Sequence, residues 1–329
     1  MKIWVKKFHE NPIVTDFYLD TIAEIFKRKN FEIESIRDWN RYKPQKNDLT
    51  LVGTTLDALK PVIKRNKYIL WIQGIWPEEC FYNHKKKWEY YLTSVIELIA
   101  LKNAKFVFFV SKEMKNHYEK KYKLNFEDRY YIMPCNNEEM HLEAFNVANK
   151  YRNNLFCYAG SINKWQCVEE TLRLYKKIEM INPNAKLLML VKEKDKAMEL
   201  IDKYQIENYE LDFVPVNKLQ ERLKDVKFGF IIREDYPFNV VATPTKFATY
   251  ITNGIIPIVS DCLKGITEMC EDTQYVIKLN KKCDIEDIVD LMNQNLDSNK
   301  IKNEYMKIYD EYYDREKNIA SMNRKVKYE

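Results

Sequence analysis

The sequence predicts an α/β protein made of two doubly wound, Rossmann-like domains facing a central cleft, and three observations predict it. Short apolar runs alternate with amphipathic helical stretches almost from end to end, the pattern of parallel strands joined by crossover helices. That pattern stops in a polar stretch rich in Asn and Glu at 136–154 and then restarts, which marks a domain boundary. The chain has 329 residues, the length of two domains and long for one. We therefore expect an N-terminal domain over 1–150, a C-terminal domain over 151–300 and a helical tail over 301–329.

In the first half, strands are expected at 2–8, 31–36, 49–52, 68–73, 106–110 and 130–133. A helix over 16–29 carries Phe17, Ile22, Ile25 and Phe26 near one face, and a helical stretch over 54–67 is interrupted or started by Pro61. The stretch 88–102 reads as a strongly amphipathic helix with Tyr91, Val95, Leu98 and Ile99 in phase. In the second half, strands are expected at 155–159, 186–191, 210–214, 228–232, 256–259 and 275–278, with helices between them, among them 167–181 and 285–296. The tail carries an apolar set at Tyr305, Ile308, Tyr312 and Ile319. Right-handed crossovers leave ligands to bind beyond the carboxyl ends of the strands, and two such domains naturally bring those ends face to face.

Composition narrows the function. The 54 basic and 49 acidic residues nearly cancel, and the short clusters Lys85-Lys86-Lys87 and Lys120-Lys121 form no basic stripe, so nucleic acid is not an expected partner. Each cluster reads either as a solvated helix face or as loose attraction to an anionic membrane surface. The seven cysteines are odd in number, widely spaced and free of any C-x-x-C pair, which argues against a disulfide framework and a zinc site. The start reads as a strand without the apolar core of a signal peptide, and no apolar run has membrane-span length. The expected location is the cytoplasm, extending to the inner face of the membrane. With only six glycines in the chain, each one carries more information than usual.

Three segments can carry chemistry. The first runs from Tyr158 to Gln166 through Ala159, Gly160, Ser161, Lys164 and Trp165, after a strand and before a helix. Gly160 permits a tight turn, Ser161 can donate a hydrogen bond, and Lys164 with the helix N-terminus favours an anion such as phosphate. It is neither a G-x-G-x-x-G fingerprint nor a P-loop, and an ordinary turn with a surface lysine fits equally. The second holds Arg233, Glu234, Asp235 and Asn239, then Thr243-Pro244-Thr245-Lys246-Phe247. Thr243 is expected as N-cap with Pro244 at the first helical position, so that the first-turn amides, Thr245 and Lys246 suit a diphosphate. The competing reading pairs Arg233 and Lys246 with Glu234 and Asp235. The helix is expected to end at Asn253-Gly254. The third segment, Trp71-Ile72-Gln73-Gly74-Ile75-Trp76-Pro77-Glu78-Glu79, ends a buried strand and then offers aromatic faces and carboxylates, which suit a sugar, or alternatively anchors a loop. Of the four histidines none has a metal-ligand spacing; His9, just past the first strand, is a candidate catalytic group, and His117 on a polar helix is expected at the surface.

Taken together these segments resemble the GT-B glycosyltransferases, in particular the bacterial group (glycosyl transferases group 1-like) that builds capsule, exopolysaccharide and lipopolysaccharide chains. The resemblance runs over nearly the whole chain. In the first half it rests on Trp71-Ile72-Gln73-Gly74 with Pro77-Glu78-Glu79, on Val110-Ser111-Lys112-Glu113-Met114 and on Ile132-Met133-Pro134-Cys135-Asn136. In the second it rests on Tyr158-Ala159-Gly160 with Lys164 and on Thr243-Pro244-Thr245-Lys246-Phe247 followed by Tyr250, Gly254 and Pro257-Ile258-Val259-Ser260.

The resemblance implies a nucleotide-diphosphate sugar as donor on the C-terminal domain, a glycan or lipid-linked acceptor on the N-terminal domain, peripheral membrane contact, and no cofactor or tightly held metal. It implies that Lys164, Arg233 and Lys246 hold the diphosphate with help from Thr245, within a donor set of Gly160, Ser161, Asn239 and Thr249. Gln73, Gly74 and Trp76 would contact the acceptor, with Glu78, Glu79 and His9 as catalytic candidates, and the tail would cross back to the first domain. Two departures stand out. Many relatives carry Arg after the glycine matching Gly160, where this chain has Ser161. Many carry a ribose-binding Glu five residues before the glycine matching Gly254, where this chain has Thr249, which cannot accept hydrogen bonds as a carboxylate does. A non-catalytic partner subunit of the same fold, or a nucleotide-sugar epimerase, is the alternative to a transferase.

Overall fold

The computed structural model describes residues 1–8, 13–136, 138–280 and 285–326. Among them the strands make two six-stranded sheets, each wholly parallel. In the first, β1 (Lys2–Lys6), β2 (Glu32–Ile36), β3 (Leu49–Val52), β4 (Lys67–Ile72), β5 (Phe106–Phe109) and β6 (Tyr130–Ile132) lie in the order β2-β1-β3-β4-β5-β6. In the second, β7 (Leu155–Ala159), β8 (Lys186–Leu190), β9 (Tyr209–Asp212), β10 (Phe228–Ile231), β11 (Ile256–Ser260) and β12 (Ile277–Leu279) lie in the order β12-β11-β10-β7-β8-β9. Strands such as Phe-Val-Phe-Phe in β5 and Phe-Gly-Phe-Ile in β10 are buried along their whole length, as continuous apolar runs should be when helices cover both faces.

Each sheet reverses its winding once. From β7 the chain winds outward through β8 and β9, then returns to place β10 on the other side of β7, with Phe228 level with Phe156. From β1 it goes to β2 and then places β3 on the opposite flank. At such switch points the loops leaving the two neighbouring strands diverge and open a crevice beyond their carboxyl ends. Gly160 follows β7 and Arg233 lies just beyond β10, so both stand at the switch of the second sheet. Gly53 follows β3, and Gln73 follows β4 one strand further on.

The chain forms two compact units, Met1–Asn137 with Val240–Thr243 and Glu311–Glu329, and Glu138–Asn239 with Pro244–Asp310. The boundary lies earlier than 150 because residues 141–151 are tied to the second sheet. The His141 amide donates to Thr252 O (3.1 Å), fully buried Lys150 donates to Ala144 O (3.1 Å) and Asn253 O, and Tyr151 OH donates to Gly254 O (2.8 Å). The tail divides as well. Helix Ser298–Ile308 belongs to the second unit, where buried Tyr305 donates to Ile255 O (3.2 Å) and Tyr275 O (2.7 Å). The terminal helix Arg315–Lys325 belongs to the first, packing on α1 (Ile13–Lys27): Arg28 meets Glu316 at 2.8 Å and Arg315 Nε donates to Thr21 Oγ1 at 3.2 Å.

Four further helices flank the first sheet: α2 (Thr55–Ile63), α3 (Trp76–His84), α4 (Lys87–Asn103) and α5 (Lys112–Tyr122). Helix α4 departs from the expected reading. Its periodicity is helical, but the buried residues are Thr93, Glu97, Ala100 and Leu101, while Tyr91 and Val95 are exposed. The inward Glu97, fully buried, accepts hydrogen bonds from Tyr118 OH (3.0 Å), Tyr122 OH (2.7 Å) and Lys121 Nζ (3.2 Å).

Gly254 closes helix Thr245–Thr252 at φ +65°, the left-handed region expected of a residue just past a helix end. A Cβ there would lie 2.8 Å from Tyr151 Oη and 3.0 Å from the Phe145 ring. Gly254→Ala is expected to destabilise the protein by about 2 kcal/mol through backbone strain and this crowding, read as a lower urea midpoint; a change within about 0.5 kcal/mol, the usual range for a neutral surface substitution, would contradict it.

Candidate functional site

In the second unit three stretches converge at the β7/β10 switch. Gly160 takes φ +143°, a conformation open to glycine and rare for other residues. The lack of a side chain there is used: a Cβ would lie 2.7 Å from Lys246 Cε and 2.8 Å from its Nζ. Lys246 therefore lies across the bare Gly160 Cα, its ammonium 4.4 Å from the Tyr158 ring centroid and donating to Gln166 Oε1 at 2.8 Å. Arg233 is 8% exposed; its amide donates to Ser260 Oγ (2.9 Å), and Nη1 donates to Ile232 O (2.8 Å) and Gln166 O (3.4 Å).

Among the described residues neither cation forms an ion pair with a carboxylate. The expected rival pairing with Glu234 and Asp235 does not form, because both acids sit on the exposed side of the turn. Burial depresses the affinity of Lys246 for its proton well below the ordinary value, and the nearby Arg233 charge adds to this. Burial likewise lowers Arg233, and the nearby tyrosines and cysteines only partly offset it. Buried Arg233 and half-buried Lys246 thus have neutral oxygens and the Tyr158 ring as partners, with no carboxylate paired to either among the described residues.

The remaining candidates take varied places. Ser161 accepts from Asn163 Nδ2 (2.9 Å) while its carbonyl accepts from Tyr158 OH (2.7 Å), so it shapes the turn after β7. Lys164 opens a short 3-10 turn in the same connection. Asn239 is buried and donates to Glu234 O (2.9 Å), which locks the loop after Arg233. The helix starts one residue later than expected: Thr245 is its first residue and Pro244, with ψ 132°, occupies the cap. The Thr243 hydroxyl is engaged elsewhere, its Oγ1 accepting from the Cys135 amide (3.1 Å), and no side chain caps the helix start. Thr245, Lys246 and Thr249, spaced i, i+1 and i+4, fall on one side of this helix, with the first-turn amides at its start.

In the first unit a cavity of about 380 Å³ opens beyond β3 and β4, lined by Gly53, Thr54, Leu56, Gln73, Trp76 and Glu79 among others. All three acceptor candidates, Gln73, Gly74 and Trp76, line it. The segment, which an alternative reading made an anchoring loop, turns into α3 at Trp76, with Pro77 in its first turn, and this separates the two neighbouring carboxylates. Glu79 faces the cavity and folds back over Gly74, where a Cβ would fall on its Oε1. Burial raises the Glu79 carboxyl above its ordinary value, and the Glu78 charge adds to that.

Glu78 does not line this cavity. Its oxygens lie 2.8 Å from Lys121 Nζ and 3.4 Å from His117 Nε2, beside the Glu97 network. Burial alone would raise Glu78, but His117 and Lys121 outweigh it and hold the carboxyl below its ordinary value. His117 is accordingly half-buried against Glu78, not a surface residue. The sequence contained the signal for this, since His117 and Lys121 stand four apart on α5, but gave no hint that they face α3. His9 lies outside the described residues. Among the described residues no group of three or more His, Cys, Asp or Glu is arranged to hold a metal ion, and no helix is long and apolar enough to cross a membrane.

No protein-family model matches the sequence, and no curated protein matches it. Solved structures do. The chain is similar to a sucrose-phosphate synthase from Thermosynechococcus elongatus, at 12% identity over 98% of each chain with a TM-score of 0.70. It is similar to HepE of Anabaena, solved with UDP and glucose, at 12% identity over 98% of each chain with a TM-score of 0.64. It is similar to the lipopolysaccharide outer core galactosyltransferase WaaB in its apo form, at 12% identity over 98% of this chain and 99% of that one, with a TM-score of 0.65. These likenesses span nearly the whole chain and establish that it has the two-sheet GT-B fold.

Proposed function

We propose that the protein is a glycosyltransferase that moves a sugar from a nucleotide-diphosphate sugar to a glycan or lipid-linked acceptor in the synthesis of bacterial surface polysaccharide. The observation that carries this reading is the pair Arg233 and Lys246, brought together at the switch of the second sheet with no carboxylate paired to either among the described residues. A diphosphate supplies the missing charge, and Lys164 and the first-turn amides at Thr245 and Lys246 add donors to it. In the reaction the acceptor oxygen bonds to the anomeric carbon while the bond from that carbon to the diphosphate oxygen breaks. The diphosphate leaves with the electron pair, and the two cations stabilise the charge it gains, in place of a tightly bound metal. The acceptor occupies the cavity of the first unit, where the Glu79 carboxylate accepts a hydrogen bond from its hydroxyl and takes up the proton that the oxygen releases as the new bond forms. Activity in the cytoplasm, with peripheral contact at the inner face of the membrane, completes the reading.

The first test is a thermal-shift panel of nucleoside diphosphates. UDP leads the panel because it is the nucleotide bound in the HepE neighbour. At a hundredfold excess over Kd a bound nucleotide stabilises the fold by about 2.7 kcal/mol, a rise of several degrees. Lys246→Ala is expected to weaken nucleotide binding, and so to reduce that shift, and to lower kcat/KM by about 100-fold, with the melting temperature of the free protein kept. If no nucleotide shifts the wild type, the transferase reading fails and a non-catalytic partner of the same fold takes its place.

Charge linkage gives a second expectation. Lys246 in the free protein holds its proton weakly, and a diphosphate beside it raises that affinity. Nucleotide binding should therefore take up protons, be favoured at lower pH, and weaken as pH rises through the depressed value of the free protein. Calorimetry in buffers of different ionisation enthalpy, over a pH series below the ordinary lysine value of about 10.4, reads the uptake directly. Equal uptake in wild type and Lys246→Met would assign it to another group.

The neighbouring carboxylates should separate cleanly. Glu79→Gln is expected to lower kcat by about 100-fold with little change in stability. Glu78→Gln is expected to cost stability by about 1–3 kcal/mol, because Lys121 and His117 lose a charged partner, while activity per folded molecule is retained. The reverse pattern, measured by denaturation and steady-state kinetics, would move the acceptor role to Glu78.

A further inference from the structure

Tyr118 is fully buried on α5, and its hydroxyl stands between two acceptors. Gly74 O lies 2.9 Å away and Glu97 Oε1 3.0 Å away, both within ordinary hydrogen-bond range. A phenol has one hydrogen to give. When Tyr118 gives it to Glu97, Gly74 O receives none from this tyrosine. When Tyr118 gives it to Gly74 O, its own oxygen is open to accept, and a protonated Glu97 is the group that can supply the hydrogen. One proton on Glu97 therefore decides which bond forms.

The surroundings of Glu97 suit it to keep that proton. The side chain is fully buried. Its other oxygen, Oε2, accepts from Tyr122 OH at 2.7 Å and from Lys121 Nζ at 3.2 Å. Lys121 is shared, and it lies nearer to the second carboxylate, Glu78, at 2.8 Å. His117, 3.4 Å from Glu78, faces that carboxylate, and Tyr90 OH donates to it at 3.4 Å. On the elements packed along α4, Tyr68 of β4 donates to Ala100 O, and Asp57 of α2 is taken by Trp39 and Thr54. Burial raises the Glu97 carboxyl above its ordinary value, and Lys121 and the tyrosines only partly oppose this. With the proton on Oε1 every group in the chain of contacts is matched. Glu97 gives to Tyr118, Tyr118 gives to Gly74 O, and Oε2 receives from Tyr122 and Lys121.

Gly74 is where this network meets the cavity. It lies in the turn between β4 and α3 and lines the cavity wall. Glu79 folds over its bare Cα. Holding the Gly74 carbonyl thus fixes the surface on which Glu79 rests.

We propose that Glu97 and Tyr118 are positioning residues, and that a proton on Glu97 lets Tyr118 hold Gly74, and through it Glu79, in place for the acceptor. Ionisation of Glu97 draws the tyrosine hydrogen away and loosens the turn. The proposal rests on the acceptor role given to Glu79, but the proton itself can be observed without any transfer.

Infrared spectroscopy of the full chain reads that proton. At neutral pH the wild type is expected to show the carbonyl stretch of a neutral carboxylic acid that Glu97→Gln removes and that fades as pH rises. At saturating donor, kcat should fall about tenfold as the band fades. The amide of Glu97→Gln still gives a hydrogen to Tyr118 and accepts from Tyr122 and Lys121, so this variant should keep kcat within roughly threefold at neutral pH and lose the decline that coincides with the band. Tyr118→Phe should lower kcat about tenfold with KM for the donor unchanged. It should also move the midpoint at which the Glu79 carboxyl titrates, read by carbon-13 NMR. Identical infrared spectra in wild type and Glu97→Gln would overturn the proposal, because Glu97 would then be ionised. An unchanged Glu79 titration in Tyr118→Phe, or a Glu97→Gln protein whose kcat declines as the wild type does, would make the network structural alone. If no nucleotide binds and no sugar is transferred, the transferase reading fails by itself, and the infrared and NMR results still decide whether the proton on Glu97 reaches Glu79.

Discussion

Arg233 and Lys246 repel one another, and much of the second unit's local structure serves to hold them together nonetheless. Arg233 is fixed from three sides by backbone and side-chain partners on β10, on β11 and in the turn before α6 (Val168–Ile181). Lys246 is fixed by a side-chain amide and an aromatic face. All of these partners are neutral, so the net positive charge survives folding. Carboxylate partners would have made the site more stable and cancelled its attraction for anions. Glu234 and Asp235 are one and two residues away in sequence, yet the turn that Asn239 locks directs them outward. The site is thus kept cationic by backbone geometry as much as by residue choice.

The first unit solves a related problem with adjacent carboxylates. Consecutive residues on a helix point about 100° apart, so once α3 begins at Trp76 its Glu78 and Glu79 cannot share a direction. One turns toward α5 and is paired with Lys121 and His117; the other turns over Gly74 and is left raised and available. Burial is the main cause of that rise, and the charge of the paired Glu78 adds a lesser part. Gly74 is needed twice, since its bare Cα admits Glu79 and its carbonyl accepts from Tyr118 OH (2.9 Å), the same tyrosine that donates to Glu97.

How much of this was legible in sequence depends on whether backbone or packing decides. Parallel strands buried on both faces read as apolar runs, so β3 and β7 fall at the expected residues and β4 and β10 within one or two. Glycines in a chain that has few of them read correctly too, as Gly160 and Gly254 both take positive φ. The expected Thr243 cap is off by one residue, because its hydroxyl is taken by the Cys135 amide, a partner more than a hundred residues away. What periodicity could not give was direction. The 3.6-residue repeat of α4 is plain in the sequence, but a repeat has no inside or outside. Glu97 is drawn inward by two tyrosines and a lysine that lie more than twenty residues away, and the apolar row is turned out as a consequence. In the same way the sequence contained Glu78, His117 and Lys121, while only the packing of α3 and α5 brings them together.

Thr249 carries the consequence that joins fold to chemistry. It stands three residues beyond Lys246 on the same helix, close enough in register for a carboxylate there to approach the ammonium. A glutamate at that place would take hydrogen bonds from a ribose and would also lend negative charge to a cationic pocket. The hydroxyl of Thr249 does neither to the same degree: it offers one donor and two lone pairs without charge. On the proposed reading the pocket of this chain is more positive than one with the acid in place, which would strengthen its hold on a diphosphate. The hold on a ribose would be less specific, because a hydroxyl both gives and receives and so discriminates weakly between sugar oxygens. In the proposed reading, binding energy is concentrated on the diphosphate, the group whose charge grows as the sugar leaves, and an interaction that strengthens with that charge favours the transition state over the bound donor.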